Sequence, residues 1–297
     1  MSSYLLAYFK EPNGLDGLHL AWSRDGLSWT ALKNDTAFIK PQIDEGLMRD
    51  PSVSFGPDGI FHLVWTVSWR GKGIGYASSP DLIHWSEQRY LPVMEHEPHV
   101  RNTWAPEIVY DEERKQFLVF WSSTIPGRHP ESDGQSNEGP PKPGLNNCIY
   151  FAATRDFASF GKTALLHDPG FNAIDACIRR DAVNNRYILF LKDETNLPFA
   201  TQKNLRIAFS AHAVGPYGPA SAPITGNYWC EGPSALRIDD TWYVYSDRYR
   251  EHRYGVVASK DLIAWEDLSD RLRVPEGTKH ATALEVPEEI LEHLLTI

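Results

Sequence analysis

The feature that most constrains the fold of this chain is a short internal repeat that occurs five times. Each copy is a run of β-forming residues followed by Ser or Thr, usually by Asp, and then by an aromatic residue. The copies cover residues 17–29, 73–85, 148–160, 204–217 and 253–265. This pattern predicts a strand, a tight polar turn and a second strand that the aromatic residue opens. Repeats with periods of tens of residues are typical of propellers and solenoids.

Two further kinds of segment accompany the repeat and complete a four-stranded unit. A run rich in aromatic and β-branched residues, typical of strands, precedes each copy at 4–9, 60–68, 116–123, 186–193 and 241–247. A third kind of segment covers residues 49–55, 104–110, 174–180 and 231–238, and a fifth covers 280–286 after the last copy. Four-stranded units repeated radially make a β-propeller. We therefore predict an all-β fold, a five-bladed β-propeller in a single domain over residues 1–297.

The offset of the repeat predicts how the ring closes. The chain begins with a second strand that has no inner strand before it, and it ends with an inner strand that has no partners after it. We expect the N-terminal strands to pair with the inner strand at 280–286 and so complete one blade. Residues 287–295 predict a short helix. Residues 125–147, rich in Pro, Gly, Ser and Asn, form the longest loop, and so long a loop is usually functional or mobile.

Composition excludes several classes of protein. The net charge of −10 and the pI of about 5.6 argue against a nucleic-acid partner, which requires a basic face. No run of 18 apolar residues predicts a membrane span. The N-terminus resembles a strand more than a signal peptide, so we expect a cytoplasmic protein, or a secreted one if the natural chain extends further. Cys148, Cys177 and Cys230 are far apart and are interpreted as buried thiols. The sequence leaves the oligomeric state open.

The starts of the inner strands are where chemistry is expected. In a propeller these strands run side by side around a central channel, and their starting ends meet at one mouth. Three carboxylates, those of Asp50, Asp175 and Glu231, open three of the five inner segments. We interpret them as occupying the same structural position in three blades. Buried charge is costly unless it is used, so the constellation predicts a catalytic site.

Each carboxylate also has a structural interpretation. Asp50 precedes Pro51, and Asp-Pro often starts a turn. Asp175 is a candidate partner for Arg179, and Glu231 lies in a Glu-Gly-Pro sequence that suits a turn. Glycoside hydrolysis, however, requires one carboxylic acid to protonate the leaving oxygen and one carboxylate to activate water or attack the sugar. Neighbouring like charges raise one pKa and so keep one acid protonated.

Aromatic and polar residues near the predicted mouth are candidates for sugar recognition. Flat aromatic faces suit the C–H side of a sugar ring, and groups with several donors or acceptors suit vicinal hydroxyls. An oligosaccharide or glycoside is the predicted partner. The predicted substrate-binding residues are Arg49, Trp69, Arg101, Trp104, Glu107, Lys192, Asp193, Asp247, Arg253 and His280.

The three acidic segments carry a family resemblance. Arg-Asp-Pro-Ser-Val around Asp50, Ala-Ile-Asp-Ala-Cys around Asp175 and Cys-Glu-Gly-Pro-Ser around Glu231 resemble the catalytic segments of glycoside hydrolase family 43. Its members are five-bladed arabinofuranosidases, xylosidases, arabinanases and galactanases, and the resemblance covers essentially the whole chain. It implies that Asp50 is the general base, that Glu231 is the general acid, and that Asp175 modulates the pKa of the acid and orients it.

Two further segments extend the resemblance. Thr-Trp-Ala-Pro-Glu-Ile at 103–108 is similar to the family's Trp-Ala-Pro-acid segment. His280 is similar to an axial His that some members place near a metal ion. The resemblance therefore makes His280 a candidate metal ligand and leaves either a calcium ion or a water at the axis, with no cofactor required.

The resemblance also implies an activity. We expect an inverting, exo-acting glycosidase that cleaves a pentose or galactose bond, as an α-L-arabinofuranosidase, a β-xylosidase or a galactosidase does. Inversion requires a carboxyl separation of roughly 6.5–9.5 Å. Arg49 before the base and Ala176 after Asp175 depart from the family pattern and leave the glycone unassigned. The exo prediction depends on the long loop at 125–147 closing one end of the cleft.

Three rival interpretations remain open at this point. Arg-Asp-Pro also resembles the retaining β-fructosidases of family 32, whose nucleophile lies in an Asn-Asp-Pro-Asn-Gly segment. Here residues 10–14 read Lys-Glu-Pro-Asn-Gly, and Glu11 is a poor substitute. The second rival is a non-catalytic carbohydrate-binding propeller, and the third is a structural or protein-binding propeller, which would need no acids at the mouth.

Overall fold

The computed structural model describes residues 3–128 and 146–297, and it is built almost entirely of strands. In chain order the strands are β1 (Ser3–Phe9), β2 (His19–Ser23), β3 (Thr30–Ala31), β4 (Arg49–Phe55), β5 (Phe61–Thr66), β6 (Ile74–Ser79), β7 (Arg89–Leu91), β8 (Trp104–Asp111), β9 (Gln116–Thr124), β10 (Asn147–Thr154), β11 (Ala164–His167), β12 (Ala173–Asp181), β13 (Arg186–Asp193), β14 (Asn204–Ser210), β15 (Glu231–Ile238), β16 (Thr241–Arg248), β17 (Arg253–Ser259), β18 (Glu266–Asp267) and β19 (Lys279–Val286). A 3-10 turn covers Lys33–Asp35, and helix α1 covers Glu288–Leu294.

The strands form five antiparallel sheets, which are the blades of a propeller. Blade 1 is β4–β7, blade 2 is β8–β11, blade 3 is β12–β14, blade 4 is β15–β18, and blade 5 has the order β19-β1-β2-β3. The C-terminal strand β19 pairs with β1, with Leu284 opposite Leu5. The predicted five-bladed propeller and its closure by the two chain ends are therefore confirmed. Pairing the first and last strands of the chain closes the ring by main-chain hydrogen bonds.

The repeated Ser/Thr-x-Asp sequence builds the turn that ends the third strand of a blade. In blade 4, Ser259 Oγ accepts a hydrogen bond from the Leu262 N–H (2.8 Å), and Asp261 Oδ1 accepts from the amides of Ile263 (2.8 Å) and Ala264 (2.9 Å). Side chains of this kind replace the strand ladder with local turn bonds. The equivalent aspartates are Asp25, Asp81 and Asp156, and each accepts the same two amide bonds.

Blade 3 departs from the predicted four strands. In the described residues it contains only β12, β13 and β14. Its copy of the repeat has His212 where the other four have Asp, and Ser210 Oγ accepts only the His212 amide. The chain returns along β14, where the amides of Gly218, Ser221 and Ile224 donate to β14 carbonyls, but it does not form a regular outer strand. The prediction of a fourth strand here was wrong.

Every inner strand begins with a bulge, and the bulges place the site. One residue at each bulge has a positive φ: Asp50 (51°), Ala105 (47°), Asp175 (54°), Gly232 (61°) and His280 (25°). The ladder register shifts at this point in the inner strands of blades 1 to 4. Bulges are known to re-aim side chains beside active sites.

These bulges correct one prediction. Asp50 and Asp175 share the positive-φ position of the bulge, and in blade 5 this position is taken by His280. Glu231 comes one residue earlier, before Gly232, and is equivalent to Arg49. The three carboxylates therefore lie in two adjacent rings of the mouth and not in one.

The core fills the space between neighbouring blades. Aliphatic and aromatic side chains from adjacent sheets form five buried clusters, and their removal from water is the main stabilising contribution. Helix α1, which confirms the predicted C-terminal helix, packs Leu291 and Leu294 into the cluster that also contains Leu5. Cys148, Cys177 and Cys230 are buried and form no disulfide, as predicted.

Most of the predicted long loop, residues 129–145, lies outside the described residues, so the exo-action inferred from it stays a prediction. Within the described ranges, no helix combines the length and apolar character needed to cross a bilayer.

Candidate active site

Asp50 lies at the first bulge and is held from two sides. Thr66 Oγ1, at the end of β5, donates to Asp50 Oδ2 (2.8 Å), and His280 Nδ1 lies 3.1 Å from Oδ1. Burial raises the pKa of this carboxyl, but His280, Arg49 and Thr66 outweigh burial and lower the pKa to about 2. Asp50 is therefore ionised at any ordinary pH, as a general base must be.

His280 is the cation around which the carboxylates gather. Burial lowers the pKa of its imidazole, but Asp50, Asp175 and Glu231 outweigh burial and raise the pKa to about 9. The ring packs directly on the backbone of Gly232, where a Cβ would come within 2.6 Å of the ring carbons. Only glycine permits this approach, and Gly232 also adopts the positive φ that glycine favours.

Asp175 lies in the third blade's bulge, and only 6% of its surface is exposed. Its backbone N–H donates to Ser122 Oγ (3.1 Å), and its Oδ2 accepts from the Gly232 N–H (3.0 Å). Burial is the main cause that raises its pKa to about 6, and the negative charge of Glu231 adds to the effect. Because Gly232 directly follows Glu231, this bond connects Asp175 to the backbone that carries Glu231.

Glu231 is bonded to a buried lysine. Lys192 Nζ donates to Glu231 Oε2 (3.0 Å) and lies 2.6 Å from Glu194 Oε2. Burial raises the pKa of Glu231, but the positive charges of Lys192 and His280 outweigh burial, so its pKa lies below the usual value. Lys192 was predicted to bind sugar. With 1% of its surface exposed, it holds the candidate acid and does not face an open cleft.

A further carboxylate, that of Asp247, lies opposite Glu231 on the neighbouring strand of blade 4. Asp247 on β16 is the register partner of Glu231 on β15. Its Oδ2 lies 3.2 Å from Lys279 Nζ at the start of β19. Burial raises the pKa of Asp247 to about 6, although Lys279 opposes this. The predicted site residue Asp247 thus reaches the mouth through its contacts with Glu231 and Lys279.

Arg49 and three aromatic rings form the rim on the Asp50 side. The guanidinium lies between the rings of Phe9 (4.8 Å to the centroid) and Trp69 (4.6 Å). Trp104 packs edge-on against Trp69 and donates its indole N–H to the Trp69 carbonyl (3.2 Å). Arg49 also donates to Glu11 (3.1 Å). The structure therefore brings together Arg49, Trp69 and Trp104, as predicted.

Two predicted sugar-binding residues have other partners. Glu107 is buried one layer further along β8, where its carboxylate lies 3.4 Å from Arg179; Arg179 in turn donates to the Ala235 carbonyl of blade 4 (2.8 Å). Asp193 is buried and accepts from Arg206 Nε on β14 (2.9 Å). Both carboxylates therefore connect blades or strands, and their contact with sugar stays a prediction.

The remaining predicted arginines, Arg101 and Arg253, contact other parts of the fold. The Arg101 backbone N–H donates to the Thr124 carbonyl at the end of β9 (3.0 Å), which places it at the blade 2 edge of the mouth. Arg253 begins β17 and donates to Asp270 (3.1 Å). It lines a cleft between β17 and the segment that leads into β19.

The arrangement does not fit a metal centre. In residues 3–128 and 146–297 no group of three His, Cys, Asp or Glu side chains is placed to hold an ion. The Nδ1 atom of His280 faces Asp50 at 3.1 Å, so this atom serves an ion pair. The described residues give no support to a calcium ion at the axis or to His280 as a metal ligand.

Several site residues were not found from the sequence. Thr66 ends β5 and meets Asp50 only through strand pairing, so no local pattern marks it. Glu194 likewise enters through Lys192. Lys279 directly precedes His280, and its place at the start of an inner strand was a signal that could have found it.

Comparison with known proteins identifies a family and distant relatives. A family model described as "Probable glycosyl hydrolase domain", related to glycosyl hydrolase family 43, matches residues 1–292. An α-L-arabinofuranosidase of Bifidobacterium longum subsp. longum is 22% identical over 188 residues, which are 57% of this chain and 17% of that protein. The chain thus spans less than a fifth of the length of that relative.

Solved structures share the fold at low sequence identity. A thermostable family-43 glycoside hydrolase superposes with a TM-score of 0.56 and 18% identity over 78% of each chain. A family-43 β-1,3-galactosidase with galactodeoxynojirimycin gives 0.57 and 12% over 81% of this chain and 82% of that one. The catalytic domain of a Coprinopsis cinerea family-62 α-L-arabinofuranosidase gives 0.54 and 14% over 78% and 72%.

Proposed function

The chain belongs to this glycosyl hydrolase 43-related family and is a glycosidase, and from that premise we propose that it cleaves an α-L-arabinofuranosyl or β-D-galactosyl bond with inversion. The observation that carries the proposal is the common partner of Asp50, Asp175 and Glu231. His280 Nδ1 lies 3.1 Å from Asp50 Oδ1, and the imidazole packs on Gly232, which follows Glu231 and donates its N–H to Asp175 Oδ2 (3.0 Å). The three carboxylates, which come from three blades, also raise the pKa of His280.

Asp50 is the proposed general base. Its pKa of about 2 keeps it ionised, and the bonds from Thr66 and His280 fix the orientation of its carboxylate. In an inverting reaction the base takes a proton from a water molecule while that water attacks the anomeric carbon. His280 forms an ion pair with Asp50. The pair holds the base in place and lowers its pKa.

Glu231 is the proposed general acid. It must carry a proton when it meets the leaving oxygen, while Lys192 lowers its pKa in the free protein. The Glu231 side chain is 27% exposed, so a bound sugar would cover it and strengthen the effect of burial, which raises the pKa. Protonation of Glu231 is thereby coupled to substrate binding.

Asp175 is the proposed modulator of the acid. Burial, with a contribution from the negative charge of Glu231, raises the pKa of Asp175 to about 6. When Asp175 is ionised, its charge raises the pKa of Glu231 by repulsion. The Gly232 N–H bond to Asp175 also fixes the backbone on which Glu231 is carried.

The proposed glycones come from the relatives. The Bifidobacterium longum and Coprinopsis cinerea proteins are named α-L-arabinofuranosidases, and the family-43 structure with galactodeoxynojirimycin is named a β-1,3-galactosidase. At the rim, Trp69 and Trp104 give an apolar surface beside the fixed cation of Arg49, which suits one face of a neutral sugar ring.

A panel of aryl glycosides tests the proposal. Wild-type protein is assayed on 4-nitrophenyl α-L-arabinofuranoside, β-D-galactopyranoside and β-D-xylopyranoside, with the Asp50→Asn variant in parallel. We expect turnover of the arabinofuranoside or the galactoside that Asp50→Asn abolishes. Turnover of the xyloside alone would replace the proposed glycone. Full activity of Asp50→Asn would refute the site, and binding without any turnover would favour a carbohydrate-binding propeller.

A further inference from the structure

We propose that the cleft between β17 and the segment leading into β19 binds the leaving-group sugar. The cleft has a volume of about 720 Å³, which lies within the range of sites for small organic ligands. The inference rests on the proposed function, because it assigns the cleft to the part of the substrate that departs from Glu231.

The cleft combines an apolar base with polar walls, which complement the C–H face and the hydroxyls of a sugar ring. Leu272 and Tyr254 are buried at its base, and Val274 and Pro275 add apolar surface. An apolar base of this kind can pack against the C–H face of a sugar ring.

Polar groups of both signs surround this base. The lining includes three carboxylates and three cations: Glu11, Asp270, Glu276, Arg253, Arg273 and Lys279. Carboxylates accept and cations donate hydrogen bonds, so together they can satisfy the hydroxyls of one ring. Because the two signs are balanced, we assign the cleft to a neutral sugar and not to a uronic acid or a phosphorylated one.

The inner end of the cleft adjoins the catalytic carboxylates. Lys279 lines the cleft and reaches Asp247 (3.2 Å), which is the strand partner of Glu231. Glu11 lines it too and pairs with Arg49 (3.1 Å), the residue before Asp50. An acid protonates the oxygen that belongs to the leaving group, so the leaving sugar must extend from the Glu231 side. The cleft reaches this side through Lys279 and Asp247, and its Glu11 wall reaches Asp50 through Arg49.

This assignment also accounts for the Lys-Glu-Pro-Asn-Gly segment at residues 10–14. Glu11 takes the place of the nucleophile in the family-32 segment, and the structure places Glu11 on the cleft wall. Its Oε2 accepts from the Asn13 N–H (2.7 Å), and its Oε1 accepts from Arg49. The segment therefore holds Arg49 and bounds the cleft.

Binding of simple glycosides tests the cleft directly. The probes are methyl β-D-galactopyranoside, methyl α-L-arabinofuranoside and methyl β-D-xylopyranoside, followed by amide chemical shifts. We expect at least one probe to move the signals of Arg253 and Thr278, and Glu276→Trp, which fills the cleft from an exposed position, to weaken that binding more than tenfold. The control Glu289→Trp, on the exposed face of α1, keeps it. Shifts confined to the surroundings of Asp50, or no shifts with any probe, would overturn the assignment.

Kinetics separate this inference from the proposed function. The ratio of kcat/KM for an oligosaccharide to kcat/KM for the aryl glycoside of the same glycone should fall at least tenfold in Glu276→Trp and stay constant in Glu289→Trp. An equal loss on both substrates would refute the cleft as a leaving-group site. If the wild type cleaves neither substrate, the proposed function fails, while the probe titration still decides whether the cleft binds sugar.

Discussion

Replacing His280 with Gln tests whether an ion pair at the propeller axis holds the base. The pKa of His280 rises from the usual 6.5 to about 9, and a tenfold change in an equilibrium corresponds to about 1.4 kcal/mol, so the charged imidazole contributes about 3 kcal/mol to the free energy of unfolding. The fall of the Asp50 pKa from 3.8 to about 2 gives about 2 kcal/mol on the same basis. The larger figure includes Asp175 and Glu231, which also act on His280, and the smaller one includes Arg49 and Thr66, which also act on Asp50. We therefore take about 2 kcal/mol as the order of magnitude for the ion pair.

The sign of the pH dependence follows from these directions. The pKa of His280 is raised, so its contribution is fully present below pH 6.5 and is lost as the pH rises through about 9. The pKa of Asp50 is lowered, so its contribution is present above pH 3.8 and is lost as the pH falls through about 2. Between pH 4 and 6.5 the pair stabilises the fold in full.

Thermal unfolding of the wild type and of His280→Gln at pH 6 and pH 10 measures the effect. For chains of 150–250 residues 1 kcal/mol shifts Tm by about 2–4 °C, so His280→Gln should melt roughly 5 °C lower at pH 6, and most of this gap should close at pH 10. His293→Gln, an exposed histidine on α1, is the matched control and should follow the wild type. A gap of equal size at both pH values would refute the ion pair.

Three further outcomes follow from the site. Asp50→Asn should lower kcat by about 10²–10⁴ on every substrate, because general-base catalysis contributes that much; a loss limited to one leaving group would speak against a base. Glu231→Gln should slow substrates with poor leaving groups more than activated aryl glycosides, and a Brønsted plot of leaving-group pKa that is no steeper than that of the wild type would contradict the acid. Arg179→Met leaves Glu107 buried without its ion-pair partner and should destabilise the fold by about 3 kcal/mol; calorimetry measures this, and an unchanged Tm would show that the pair is not structural.

The blades could be predicted because each is specified locally. Alternating strand residues and the Ser/Thr-x-Asp turn lie within one short segment, and the same amide bonds recur at Asp25, Asp81, Asp156 and Asp261. The missing outer strand of blade 3 was equally local, because His212 replaces the turn Asp there. The strand-like residues that follow the turn predict an outer strand, whereas the turn residue His212 does not.

The site was predictable only in part, because side-chain direction depends on register. Lys192 and Asp193 are adjacent in sequence, yet Lys192 faces Glu231 and Asp193 faces Arg206. Side chains alternate along a strand, and a bulge reverses their direction locally.

The offset of Glu231 has the same origin. The left-handed position in blade 4 is taken by Gly232, so the carboxylate comes one residue earlier than in the blades of Asp50 and Asp175. Thr66, which orients Asp50, follows from the pairing of β4 with β5 and from nothing in its own neighbourhood.

The anomeric configuration of the first product tests the central claim most directly. Hydrolysis of the preferred aryl glycoside is followed by proton NMR at high enzyme concentration, before mutarotation equilibrates the released sugar. If Asp50 is a base that activates water, the first sugar signal belongs to the anomer opposite to that of the substrate. If the released sugar first has the configuration of the substrate, a carboxylate acts as a nucleophile and the assignment of Asp50 and Glu231 is wrong.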